Sequence, residues 1–113
     1  MPLIIGGDIL VALDGEPVRS CLMFAAQADG ASIRTVEDLA DGDALSPLQQ
    51  AFSRNYALQC GYCTPGILRT LTALRDADAW PTTEEETREV LSGNICRCTG
   101  YQSIVDAILE MAK

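Results

Sequence analysis

Four cysteines stand in two tight clusters, Gln59-Cys60-Gly61-Tyr62-Cys63-Thr64-Pro65-Gly66 and Asn94-Ile95-Cys96-Arg97-Cys98-Thr99-Gly100-Tyr101. The first is a C-x-x-C and the second a C-x-C, each in a short loop between two segments of helical pattern. Thiolates are soft ligands that select zinc, copper(I) or iron-sulfur clusters over hard cations. A set of four is the usual protein contribution to an iron-sulfur centre or to a structural zinc that staples loops together. Spacing alone leaves that choice open. A redox dithiol at Cys60 and Cys63 fits less well, because it gives Cys96 and Cys98 no role and lacks a strand-helix-strand setting.

Composition narrows the chemistry further. The 113 residues include no histidine, which removes the commonest general base, the Rieske ligand set and every mixed Cys/His zinc site. The chain is therefore a poor candidate for making or breaking bonds by itself. A net charge of -8 argues against a nucleic-acid partner, whose phosphates require basic surface. Hydrophobic content of 48% suits a globular chain, and at this length folding buries roughly two thirds of the unfolded surface. The apolar start from Met1 to Val11 carries Asp8 and has no Lys or Arg ahead of it, so neither a signal peptide nor a membrane span is expected. Five cysteines, four at ligand spacing, fit a reducing compartment better than a disulfide framework. The expected location is cytoplasmic, with export alongside a partner left open.

The elements that must position the cysteines follow from the pattern. Residues 8–19 read as a hairpin turning at Asp14-Gly15, since both turn positions need positive φ. A further short strand is expected over residues 32–36, with Thr35 and Asp38 capping one helical turn through Leu39. Ala40-Asp41-Gly42-Asp43 then reads as a linker. After it, Ser46, Pro47 and Gln49 open a helix whose face is Leu48, Ala51, Phe52 and Tyr56. Thr64 with Pro65 is expected to cap a second helix, striped by Ile67, Leu68, Leu71 and Leu74. Thr82 or Thr83 with the following glutamates starts a third, with Thr87, Val90 and Leu91 inward and Gly93 stopping it. Thr99 with Gln102 is expected to box the last, which buries Ile104, Val105, Ile108 and Leu109.

The result is helix, cysteine loop, helix, stated twice. Two such hairpins packed together bring four sulfurs to one point. With second helices starting at Thr64 and Thr99, positive helix ends would face an anionic centre. A 2Fe-2S centre with four thiolates carries about -2, and about -3 when reduced. Tetrathiolate zinc also carries about -2, so this feature does not separate the two.

Three stretches resemble one family: Leu48-Gln49-Gln50-Ala51-Phe52, the first cysteine cluster, and Leu91-Ser92-Gly93-Asn94-Ile95-Cys96-Arg97-Cys98-Thr99-Gly100-Tyr101-Gln102. They are similar to the iron-sulfur subunit of molybdenum hydroxylases, the group related to xanthine dehydrogenase, aldehyde oxidoreductase and carbon monoxide dehydrogenase. The resemblance runs from about Leu13 to the C terminus. It implies an α+β, mostly α fold, in which residues 43–113 form a helical 2Fe-2S domain of two helix-loop-helix hairpins. Residues 1–42 would then be an incomplete β-grasp, ferredoxin-like remnant and linker. It makes Cys60, Cys63, Cys96 and Cys98 the ligands of one cluster and puts Gln59 and Cys98 beside a molybdopterin. It further implies a large molybdopterin-binding subunit and a subunit carrying FAD as partners, with this chain passing electrons between them. The alternative is a noncatalytic interaction module stapled by zinc on the same four thiolates.

The N-terminal part departs from the family pattern, in which a second 2Fe-2S cluster is held by a C-x4-C-x2-C run and a later cysteine after a D-G-x-P-V turn. Aligning Asp14-Gly15-Glu16-Pro17-Val18 on that turn makes Cys21 the later cysteine and puts the other ligand positions on Met1, Gly6 and Ile9. None of these three binds iron. The expectation is a truncated or misassigned start, with loss of the second cluster from the subunit as the alternative, and in either case one cluster here and Cys21 as a free, buried thiol. Arg97 reads as a charge-balancing or simply exposed residue, and Tyr62, Trp80 and Tyr101 as packing or interface residues.

Overall fold

The computed structural model describes residues 10–113. The readings placed on Met1, Gly6, Asp8 and Ile9 lie outside them. Strands β1 (Leu10–Leu13) and β2 (Glu16–Arg19) form an antiparallel hairpin running from the Leu10↔Arg19 pair to Leu13↔Glu16. Asp14 and Gly15 have φ of 51° and 88°, the two left-handed residues that a tight two-residue hairpin turn demands. Strand β3 (Ile33–Arg34) pairs antiparallel with the other edge of β1, giving the order β2-β1-β3. It is shorter than the five residues expected, because a 3-10 turn begins at Val36. Thr35 does not cap that turn with its side chain: its hydroxyl bonds the Glu37 carboxylate, and Asp38 pairs with Arg34.

Four helices follow: α1 (Pro47–Arg54), α2 (Thr64–Asp76), α3 (Glu84–Leu91) and α4 (Gln102–Met111). Ser46 and Thr83 form full capping boxes with Gln49 and Glu86, each satisfying orphan amides at both ends of the box. Helices α1 and α2 both end in a reversal through a left-handed residue, Tyr56 at φ 53° and Asp78 at φ 56°. In each the chain closes with paired bonds, Ala57 N–H to Phe52 C=O at 2.9 Å and Ala79 N–H to Leu74 C=O at 2.8 Å, the Schellman pattern. Tyr56 therefore leaves the helical face assigned to it and is exposed; the periodic pattern runs past the helix stop.

The core is made by Leu48, Ala51, Phe52, Ile67, Leu71, Leu91, Ile104, Val105 and Ile108, all buried. Burial of each Leu, Ile, Val or Phe side chain among them contributes roughly 1.5–3 kcal/mol. Helix α4 packs between α1 and α3, while α2 lies against β1, β2 and the 3-10 turn. This is a mixture of four helices with a small sheet, in which the extensive partner of α1 is α4 and not its sequence neighbour α2. Arg54 Nε and Asn55 Nδ2 tie α1 to Glu110 of α4 at 3.0 and 2.6 Å. Trp80 Nε1 reaches the Ile108 carbonyl at 3.3 Å, which makes it a packing residue. Leu10 and Ala12 are buried, whereas Val11 and Leu13, on the opposite face of β1, line an open hollow of about 860 Å³ with Val18, Met23 and Ile33.

Candidate metal centre

The first cysteine loop starts where α1 reverses. Ala57 is fully buried and anchors the reversal, and Gln59 and Cys60 then emerge into solvent. Gly61, at φ 81°, turns the chain back, so that the Tyr62 amide faces Cys60 Sγ at 3.5 Å. Cys63 is the N-cap of α2, in helical conformation and without a side-chain cap bond. Thr64 is thus the first helical residue and not the cap it was expected to be. Helix α2 consequently starts directly behind Cys63, so the positive end of its dipole lies at the first cysteine loop.

The second loop is held more tightly. Asn94 is buried, and its Nδ2 donates to Thr70 Oγ1 of α2 at 3.3 Å. The Arg19 guanidinium of β2 donates to the Gly93 carbonyl, so the sheet braces the loop from outside. The Tyr101 hydroxyl accepts from the Cys96 N–H at 2.8 Å and donates to the Asn94 carbonyl at 2.9 Å. Gly100 and Tyr101 are both left-handed, at φ 68° and 71°, which curls the chain back over Cys96. Tyr101, not Thr99, occupies the N-cap of α4, and the expected box with Gln102 does not form. Gln102 instead bonds Asp106 at 3.0 Å and accepts from Arg88 of α3 at 2.8 Å. The first turn of α4 is accordingly set back from Cys98 by three residues.

These two loops bring the cysteines together across the chain. Cys60 Sγ and Cys98 Sγ lie 3.5 Å apart on the exposed side. Cys63 and Cys96 are buried and close enough to shift one another's thiols. Each pair takes one cysteine from each loop. Among the described residues, no three Cys, Asp or Glu side chains surround one single-ion position. The all-sulfur donor set of four suits an iron-sulfur centre and equally a tetrathiolate zinc.

The environments of the pairs differ. Burial, with Cys96 as hydrogen-bond partner and neighbouring charge, pushes the Cys63 thiol up to about 12. At Cys96 burial acts in the same upward sense but is outweighed by the Thr99 hydroxyl and amide, so its thiol sits below the ordinary value. Cys98 is raised by its contact with Cys60. Cys21 stands apart in the 3-10 turn Ser20–Leu22 and is exposed, contrary to the buried position expected of it, since that turn packs none of its side chains into the core. Arg97 is exposed, as is Tyr62. Asn94, Tyr101 and Arg19 were not singled out as loop-holding residues from sequence. The available signal was a buried-type asparagine and a tyrosine bracketing one cysteine pair.

Comparison with known proteins follows the same lines. Residues 35–109 match the model of the 2Fe-2S binding domain family. The chain is 62% identical over 104 residues to the nicotine 6-hydroxylase small subunit of Paenarthrobacter nicotinovorans, covering 92% of this chain and 62% of that protein. It is 47% identical to the xanthine dehydrogenase iron-sulfur-binding subunit of Escherichia coli O157:H7, covering 95% and 68%. The structure superposes on quinoline 2-oxidoreductase from Pseudomonas putida 86 with a TM-score of 0.84 at 49% identity, over 95% of this chain and 67% of that one. The chain thus spans somewhat under two thirds of the nicotine 6-hydroxylase subunit's length.

Proposed function

The chain belongs to the small iron-sulfur subunits of the xanthine dehydrogenase and aldehyde oxidoreductase family of molybdenum hydroxylases, and on that premise we propose that it is an electron-transfer subunit. Cys60, Cys63, Cys96 and Cys98 would hold one 2Fe-2S cluster. Bound there, the cluster accepts and releases one electron at a time. The observation that carries this reading is the 3.5 Å contact of Cys60 Sγ and Cys98 Sγ across two separate loops, with the buried thiols of Cys63 and Cys96 near each other.

The chain's own residues divide the remaining work. Helix α2 begins directly behind Cys63, and the positive end of its dipole favours the extra negative charge of the reduced state. Asn94, Tyr101 and Arg19 fix the second loop so that little rearrangement accompanies a change in charge. Exposed Tyr56, Leu58, Tyr62 and Ile95 stand in or beside the cysteine loops, an apolar rim suited to docking. In this reading a large molybdopterin-binding subunit docks on that rim with Gln59 and Cys98 next to the pterin. Electrons leave toward FAD on a further subunit. Substrate oxidation belongs to the partner, consistent with a chain that carries no histidine. The reading includes a division at residues 1–42 and 43–113, supported by strands on one side of it and helices on the other, and a cytoplasmic complex. Among the described residues no helix is long and apolar enough to cross a membrane.

The test is substrate-driven reduction in the assembled complex. Cys60→Ser should abolish transfer to the acceptor while the partner still binds substrate. Unchanged turnover in that variant refutes the role.

A further inference from the structure

Thr99 Oγ1 lies 3.0 Å from Cys96 Sγ. The Tyr101 backbone N–H donates to the same oxygen at 3.1 Å and so occupies one of its two lone pairs. The hydroxyl hydrogen is left to point elsewhere. A cysteine that binds metal does so as thiolate and has no proton to give. In the metal-bound state the hydrogen between Thr99 Oγ1 and Cys96 Sγ is therefore the one on the Thr99 hydroxyl.

Two features make this contact a built one. The Tyr101 amide that orients the hydroxyl is locked in place by its own ring, whose hydroxyl is bonded to Cys96 N–H and to the Asn94 carbonyl. That same ring bond takes the Cys96 amide, so the amide cannot serve the sulfur. Cys96 is also only 8% exposed, which leaves water little access to replace a lost donor. The exposed Cys60, in contrast, faces the Tyr62 amide and solvent.

We propose that Thr99 is a positioning and potential-setting residue: its hydroxyl donates to the sulfur of the Cys96 ligand and eases one-electron reduction of the cluster. Hydrogen bonds to cluster sulfurs stabilise the added negative charge and raise the potential. The proposal rests on the cluster reading above.

The experiment is a redox titration of the cluster's EPR signal in the native complex for the unmodified chain, Thr99→Val and Thr99→Ser, with iron counted in each. Valine keeps the shape and removes the hydroxyl, whereas serine keeps the hydroxyl. Thr99→Val should retain its iron and lower the reduced-to-oxidised ratio at fixed potential about tenfold, a shift of about 59 mV to lower potential for a one-electron couple. Thr99→Ser should stay close to the unmodified value. A Val potential equal to the unmodified one, or Val and Ser shifted alike, overturns the proposal. So does loss of iron in Val alone, which would assign the hydroxyl to holding the loop. Absence of iron from the unmodified chain would instead sink the cluster reading itself.

Discussion

The helical part of the molecule and the strand part are built to different standards of closure. Between α1 and α4 the large apolar side chains are buried to the last few per cent, as at Leu48, Phe52 and Ile108. On the strand side, Leu22 and Phe24 are 79% and 80% exposed, and Val11 and Leu13 of β1 face an open hollow. The cysteine loops grow out of the closed part, and one of them is braced by the sheet through Arg19. A rigid core at the loop roots holds the four sulfurs in their pairs. The strand region contributes that brace and presents surface.

Truncation is the strongest way to break this contrast. Phe52→Ala should cost about 3–5 kcal/mol of stability by cavity formation, read as a lower midpoint in denaturant unfolding. Phe24→Ser should change stability by less than about 0.5 kcal/mol, since the ring is already in water. Equal losses would mean that the two parts share one core. A smaller effect is expected at the cap of α3. Thr83→Ala removes the bond from the Glu86 amide to its hydroxyl and should cost about 1 kcal/mol.

The other half of that box adds a pH dependence. Glu86 is held below the ordinary carboxylate range, first by the Thr82 and then by the Thr83 backbone N–H. Its contribution is present above the unfolded pKa and is lost as pH falls through the lower folded value. Glu86→Gln should flatten that acid limb, and an unchanged limb would discount the box. The smallest effect sharpens the contrast from the strand side: Cys21→Ser should leave iron content unaltered, and a loss of iron would bring the sheet into the centre.

What the residues disclosed before any coordinates follows the same division between local and tertiary causes. Asp14-Gly15 was legible because only left-handed residues make that turn, and Ser46 because Gln49 stands three places on to complete its box. The choice between Thr82 and Thr83 was left open, and the structure caps α3 with Thr83 while Thr82 bonds the same Glu86 carboxylate. Thr64 and Thr99 carry the same kind of signal and misled, since each follows a cysteine of the site. Thr99 turns to Cys96 Sγ and the Tyr101 amide, so α4 begins at Gln102 behind a left-handed tyrosine. Tyr56 misled for a backbone reason, because a Schellman reversal can use a residue other than glycine. The cysteine clusters were legible in type and spacing, but their pairing across the loops was not. Pairing depends on α4 lodging between α1 and α3, a contact between elements far apart in the chain.

The central claim is most directly tested by counting iron and acid-labile sulfide in the purified protein and in its Cys96→Ser variant. The account predicts that the substitution removes two irons and two sulfides per chain together with the visible absorbance they carry. Equal iron in both proteins, or one zinc without sulfide in the unmodified chain, would contradict it.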